Sequence, residues 1–319
     1  MIILAPLHGF TDFIFRNVYA RHFTGIDMAV SPFISLTHSS KVNPRKAKDV
    51  LPANNLSIPV IPQILGNQPD LFIQMCQFLD GWGYEEINWN LGCPVKSIAN
   101  KKRGSGLLPH PELLRSILEQ IVPEIKQKLS IKLRLGYYDK DEINRIIPVL
   151  NDFPLKNITI HPRIGIQMYE GEIIHQGLND IINSINHEVI YNGDIVDLKS
   201  YNEAKLKYPS IKSWMIGRGI YYNPWLAEEI KCGLETDKTN QRIKLLDFFC
   251  DLYQELLKHK GETQTINKIK DLWQLFCFIF GNHQKVINQI SHAVSLAEIE
   301  EITIRVIETV SVTKQNAVR

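Results

Sequence analysis

Eight short apolar runs, most of them followed by a Gly/Pro/Asn corner and a stretch of helix length, constrain this chain more than any other feature. The runs cover residues 2–7, 28–33, 59–65, 86–90, 130–135, 157–161, 188–192 and 213–216. Helix-length segments lie between most of them, at 70–82, 111–128, 142–151, 173–186 and 198–207. Strand alternating with helix implies parallel βα units. Eight such units predict an α/β fold of the (β/α)8 TIM-barrel type, which usually takes about 250 residues. An open doubly wound sheet is the rival, weakened by the missing Gly-x-Gly-x-x-Gly corner after the first run. Asn223-Pro224-Trp225 offers an Asn N-cap and a proline at the first helical position for a last barrel helix ending near Cys232.

The 319 residues exceed what a barrel needs. After Gly233 a polar stretch, 234–240, leads into helical spacing of apolar residues at 241–259, 265–280 and 296–310, and no strand pattern returns. The expected organisation is a barrel over residues 1–238 and a small all-α helical domain over 239–319. Net charge is only +2, so any nucleic-acid footprint has to be local. Five cysteines, an odd number without a Cys-x-x-Cys pair, argue against a disulfide framework or structural zinc and for a reducing, cytoplasmic setting. The first residues carry no basic leader, and the apolar run 275–280 is too short to span a bilayer.

Chemistry in a parallel barrel sits at the C-terminal ends of its strands. Here those ends carry Ala5-Pro6, Pro32, Gln63, Asn90 with Cys93, Lys132 with Arg134, His161-Pro162-Arg163, Asn192-Gly193-Asp194 and Gly217-Arg218-Gly219. Polar groups at almost every strand end would converge on one mouth. The last two corners suit phosphate, because glycines let backbone N–H groups approach an anion and Arg218 adds charge; two tight turns with an exposed arginine is the plainer reading. Lys132 and Arg134 alternate with Ile131, Leu133 and Leu135, so both cations point one way. Inside a barrel they call for an anionic partner; on an edge strand they would be a solvated basic face, and Lys132 also fits a Schiff-base lysine. His161 reads either as a packed histidine or as part of the mouth. No His/Asp/Glu cluster has metal-ligand spacing. Asn90-Leu91-Gly92-Cys93-Pro94 places a thiol on a tight corner, either as an inert cysteine or as a thiol held there for chemistry, a nucleophile with His161 as base among the options.

Together these segments resemble the tRNA-dihydrouridine synthases. Ala5-Pro6-Leu7-His8-Gly9-Phe10-Thr11-Asp12 is similar to the family's opening strand and loop, which usually reads Ala-Pro-Met-x-Gly. Asn90-Leu91-Gly92-Cys93-Pro94, with Gly104-Ser105-Gly106-Leu107-Leu108 downstream, resembles its active-site loop. Lys132-Leu133-Arg134-Leu135-Gly136, His161-x-Arg163, Asn192-Gly193-Asp194 and Gly217-Arg218-Gly219 follow in the family's order, and Lys268-Ile269-Lys270-Asp271-Leu272-Trp273 is similar to a tail segment of one bacterial subgroup. Leu7 stands in place of the usual methionine and keeps its size and apolarity. His8 replaces a commoner residue, and Ile164 stands where threonine is frequent, which leaves one polar contact unassigned.

The resemblance implies an FMN enzyme that uses NADPH to reduce the C5–C6 double bond of a D-loop uridine in tRNA. A monomer is expected, although no sequence feature marks the oligomeric state. It implies FMN contacts from Pro6, Leu7, His8, Gln63, Lys132, His161, Asn192, Gly193, Asp194, Gly217 and Arg218. Cys93 would be the general acid and Asn90 would bond the uracil edge, with Arg134, Arg163 and Tyr169 at the substrate rim. A target base inside folded RNA has to be turned outward, at a cost of a few kcal/mol, so compensating RNA contacts are needed. Lys96, Lys101, Lys102 and Arg103 beside Cys93, and Lys268 and Lys270 in the tail, are the expected tRNA contacts; a solvated charge run is the bland alternative. A flavin barrel acting on a free pyrimidine, similar to dihydroorotate dehydrogenases, and a non-catalytic RNA-binding barrel are the competing functions.

Overall fold

Side-chain alternation along each strand separates a barrel interior from an outer layer of helices. The computed structural model describes residues 1–36, 44–237, 241–280 and 282–309. Within them ten strand segments form one all-parallel sheet: β1 (Ile2–Leu4), β2 (Met28–Val30), β3 (Ile34–Ser35), β4 (Val60–Ile61), β5 (Gln63–Leu65), β6 (Glu86–Leu91), β7 (Lys128–Gly136), β8 (Asn157–Ile164), β9 (Glu188–Tyr191) and β10 (Ser213–Ile216). The expected strand at 28–33 is split into β2 and β3, and that at 59–65 into β4 and β5. Pro32 and Pro62 sit at the two breaks, and neither can donate to a ladder. The Gln63 N–H at the break is taken instead by Ser31 Oγ at 3.1 Å. β2 pairs with β4 and β3 with β5, one extra residue lying on the first strand between the two registers (Val30↔Ile61, Ile34↔Ile64), which is a bulge. β5 pairs onward with β6, and β10 pairs back onto β1, so the eight expected strands close into a barrel.

On β1, Ile2 and Leu4 join the outer core, whereas Ile3 and Ala5 meet Val30, Ile61, Ile190 and Met215 in a separate apolar plug. On β6 to β8, Trp89, Leu91, Ile131, Leu133, Ile158 and Ile160 belong to the outer core. Their alternates, Asn88, Asn90, Ser130, Lys132, Arg134, Thr159 and His161, therefore face inward. One half of the interior is dry and the other is lined with polar groups.

The barrel helices are α1 (Phe13–His22), α2 (Pro69–Asp80), α3 (Lys96–Ala99), α4 (Pro111–Ile121), α5 (Ile143–Asn151), α6 (Leu178–Asn183), α7 (Leu198–Lys207), α8 (Arg218–Tyr222) and α9 (Leu226–Cys232). α1, α3 and α8 lie outside the expected helical segments, and three of the expected helices differ in extent or start. α4 stops at Ile121, with Pro123 just beyond, and 128 already belongs to β7. The helix expected at 173–186 shortens to α6, which starts after Gly177 in a left-handed conformation. Asn223 is not an N-cap: its side chain donates to Glu229 Oε2 at 2.6 Å, and Trp225 holds the cap position before α9.

The remaining helices are α10 (Arg242–Lys260), α11 (Glu262–Phe276), α12 (His283–His292) and α13 (Leu296–Thr309). Phe249 stacks on Trp273 at 5.0 Å, Trp273 Nε1 donates to Tyr253 Oη at 2.6 Å, and that hydroxyl meets Thr303 Oγ1 at 2.9 Å. Phe248 and Phe276 pack against Phe15 of α1, and Phe276 also against Tyr221 of α8. The outer barrel core thus runs unbroken into the helical unit. The expected boundary at 238/239 and the helix end at 310 lie outside the described residues. No helix among the described residues is long and apolar enough to cross a membrane.

Candidate active site

A cavity of about 740 Å³ opens at the C-terminal ends of the strands. Its wall takes Ala5, Pro6, Leu7 and His8 after β1, Phe33 and Ser35 around β3, Asn90 and Cys93 after β6, and Lys132 and Arg134 from β7. His161, Tyr169, Asn192, Asp194, Gly217, Arg218 and Gly219 complete the circuit. The loop after β1 is locked by Thr11, whose hydroxyl donates to Ala5 O and accepts from Leu7 N–H. His8 stacks on Phe33 at 4.7 Å.

Cys93 sits on a turn held from several sides. Asn90 Oδ1 accepts the N–H groups of both Gly92 and Cys93, and Arg134 Nε donates to Gly92 O at 2.9 Å. The Cys93 carbonyl accepts Ser105 N–H at 3.0 Å and Ser105 Oγ–H at 2.9 Å. Burial raises the Cys93 thiol above its ordinary pKa, against smaller opposing effects from a backbone hydrogen bond and Arg134, so the group stays S–H through neutral pH.

Basic groups are concentrated around it. The Lys132 ammonium has no hydrogen-bond or ion-pair partner among the described residues, and burial, reinforced by Arg134, lowers it to about 7. His161 is 9% exposed, and burial followed by Lys132, Arg134, Arg163 and Arg218 pushes its pKa well below the ordinary value. Its Nε2 lies 3.2 Å from Arg163 Nη1. A guanidinium only donates, so Nε2 accepts and the neutral ring carries its proton on Nδ1. Burial lowers Arg134 only to about 10, which leaves it charged. Tyr169, 48% exposed, lies 5.2 Å from the Arg134 guanidinium and 5.8 Å from that of Arg218.

Several expected contacts are placed elsewhere. Gln63 is fully buried beneath the cavity, donating to Asn88 Oδ1 and accepting from Asn90 Nδ2, both at 2.7 Å. Asn90 lines the cavity, but its oxygen is committed to the Cys93 turn. Arg163 is 2% exposed and forms a two-pronged pair with Asp194 while donating to Gly171 O, so it braces the rim rather than facing a substrate. Gly193 packs on Tyr191 and Pro162 outside the cavity wall. Lys96, Lys101 and Lys102 are exposed, whereas Arg103 donates to Asn67 Oδ1. Lys270 donates to Ser291 O near the end of α12, and Lys268 lies over the Phe10 ring at 5.3 Å. Phe10, within the opening motif, also lines the wall, and Val95, Ile98, Met215 and, from α11, Leu275 are wall residues that no sequence motif marked.

The wall fits a flat, anionic cofactor. Unpaired Lys132, Arg134, Arg218 and the Gly217–Gly219 corner share a cavity with apolar surface from Leu7 and Met215, and the Asp194 carboxylate on the same wall is paired with Arg163 and Arg218. Arg218 and Gly219 open α8, so their N–H groups have no partner within that helix. Among the described residues no group of three or more His, Cys, Asp or Glu could hold a metal ion.

Residues 3–311 match the family model for dihydrouridine synthase. Over 82% of this chain and 82% of its own length, tRNA-dihydrouridine synthase B of Shewanella oneidensis is 29% identical. The Pasteurella multocida tRNA-dihydrouridine synthase B is 32% identical, covering 74% of this chain and 70% of its own. Among solved structures, the old yellow enzyme homologue from Zymomonas mobilis aligns with a TM-score of 0.52 at 12% identity, over 74% of this chain and 90% of that one, a likeness of fold.

Proposed function

Because the chain belongs to the dihydrouridine synthase family, we propose that it is an FMN-dependent oxidoreductase that reduces the C5–C6 bond of a D-loop uridine in tRNA, with NADPH as reductant. The observation that carries this reading is a partly buried free thiol and an unpaired lysine lining one chamber. We assign residues 1–238 to catalysis and 239–319 to tRNA binding.

The phosphate of FMN would lie at the Asn192–Asp194 and Gly217–Gly219 corners beside Arg218, with Pro6 and Leu7 against the ring system. Bound there, the flavin would supply a hydride to C6 of the uracil. Cys93 donates its proton to C5, where negative charge develops, and burial keeps that proton in place until it is needed. Lys132 would hold positive charge beside a reduced flavin bound here, a lever by which the protein tunes that cofactor. Neutral His161 offers an N–H without adding a fourth cation to Lys132, Arg134 and Arg218. Tyr169 gives an outward-turned base an aromatic surface at the rim. Exposed Lys96, Lys101 and Lys102 supply phosphate contacts.

The test is nucleoside mass analysis of unmodified tRNA after incubation with the protein, FMN and NADPH. A uridine that gains two hydrogens is expected. A protein that purifies colourless, binds no FMN and leaves uridine unchanged would overturn the proposal.

A further inference from the structure

The Cys93 turn is clamped on its far side by a residue outside the cavity wall. Ser105 is fully buried in a short 3-10 helix, Gly104–Leu107, and both its N–H and its hydroxyl donate to Cys93 O. The chain passes flush beneath the cysteine: a Cβ on Gly104, which has φ +56°, would lie 2.5 Å from that same oxygen, and one on Gly106 would lie 2.3 Å from Ala99 O. On the near side Asn90 Oδ1 holds the Cys93 N–H. With N–H and C=O of one residue both fixed, its φ and ψ are fixed. The Cα–Cβ bond then has one direction, leaving the sulfur only a few staggered positions. Reacting atoms need that control, since a displacement of about 1 Å can cost about 100-fold in rate.

We infer that Ser105 is a positioning residue for the reaction: its doubled hydrogen bond to the Cys93 carbonyl aims the thiol at the chamber. The inference rests on the proposed role of Cys93 as proton donor. Removing the hydroxyl leaves the Ser105 N–H bond, so the turn persists but loosens. Asn90 and Ser105 hold the two peptide groups on either side of one residue, Cys93, so their effects should not add.

The experiment compares wild type, Ser105→Ala, Asn90→Ala, the double variant and Cys93→Ala in the full chain. It records FMN content, melting temperature, tRNA affinity, and kcat and KM for tRNA. Ser105→Ala should lower kcat about 10-fold while FMN content, tRNA affinity and KM stay within twofold. The double variant should fall short of the product of the single losses. A kcat unchanged in Ser105→Ala while Cys93→Ala is inactive overturns the inference alone. So does a loss of kcat that tracks lost FMN or lowered melting temperature. Full activity in Cys93→Ala overturns the proton-donor reading itself. Should Ser105→Ala yield no folded protein, Ser105→Thr, which keeps the hydroxyl, decides: wild-type kcat supports the inference, and a folded but impaired enzyme contradicts it.

Discussion

Lys132 is the residue whose charge state most depends on what shares its cavity. In the free protein burial lowers its pKa from the ordinary lysine value to about 7. Below pH about 7 it is charged in both folded and unfolded chains and its full burial cost is felt. As pH rises from about 7 toward the unfolded lysine pKa of about 10.4, the folded state releases the proton first and that cost lifts. The FMN-free wild type should therefore close its stability gap to Lys132→Met between pH 6.5 and pH 9.5, read as urea midpoints; a constant gap would show that Lys132 is not buried as a cation. The sequence made Lys132 and Arg134 legible as a pair, because alternation with Ile131, Leu133 and Leu135 fixes a common direction. It did not show that Arg163 turns from the chamber to Asp194, or that Asn90 spends its oxygen on Gly92 and Cys93. Those partners depend on how loops distant in sequence meet, and no local pattern encodes that.

Elements were legible where periodicity is clean and obscure where it is not. The barrel followed from eight apolar runs, yet α1 carried no readable stripe, since Phe13, Ile14, Phe15, Arg16, Val18 and Tyr19 are all buried and the helix is covered on most sides. The basic loop that holds α3 is set by its surroundings as well as by its charge: Asn67 accepts from Arg103 and donates to the carbonyls of Lys101 and Lys102. That leaves the Lys101 and Lys102 side chains exposed above the thiol's turn. Reversing both charges should weaken tRNA binding, lower the slope of log affinity against log salt by roughly 0.7–0.9 per lost phosphate contact, and leave FMN content unchanged. An unaltered slope would place this loop outside the RNA footprint.

At the scale of the whole molecule, one core joins barrel and helical unit through Phe15, Tyr221, Phe248 and Phe276, and α11 brings Leu275 into the cavity wall. Trp273→Ala, at the centre of the helical unit, should cost about 3–5 kcal/mol and keep unfolding a single transition; a second transition would show that the two parts melt separately. On the proposed function this united architecture would bring tRNA, flavin and thiol together, and one anaerobic measurement tests that most directly. The protein is loaded with FMN, reduced by NADPH, freed of excess reductant and mixed with unmodified tRNA, and the return of yellow colour is followed in wild type and Cys93→Ala. Wild type should be reoxidised by tRNA alone, and Cys93→Ala should bind the same tRNA but recolour about 100- to 10,000-fold more slowly. Equal rates in the two proteins, or no reoxidation of wild type by tRNA, would contradict the account.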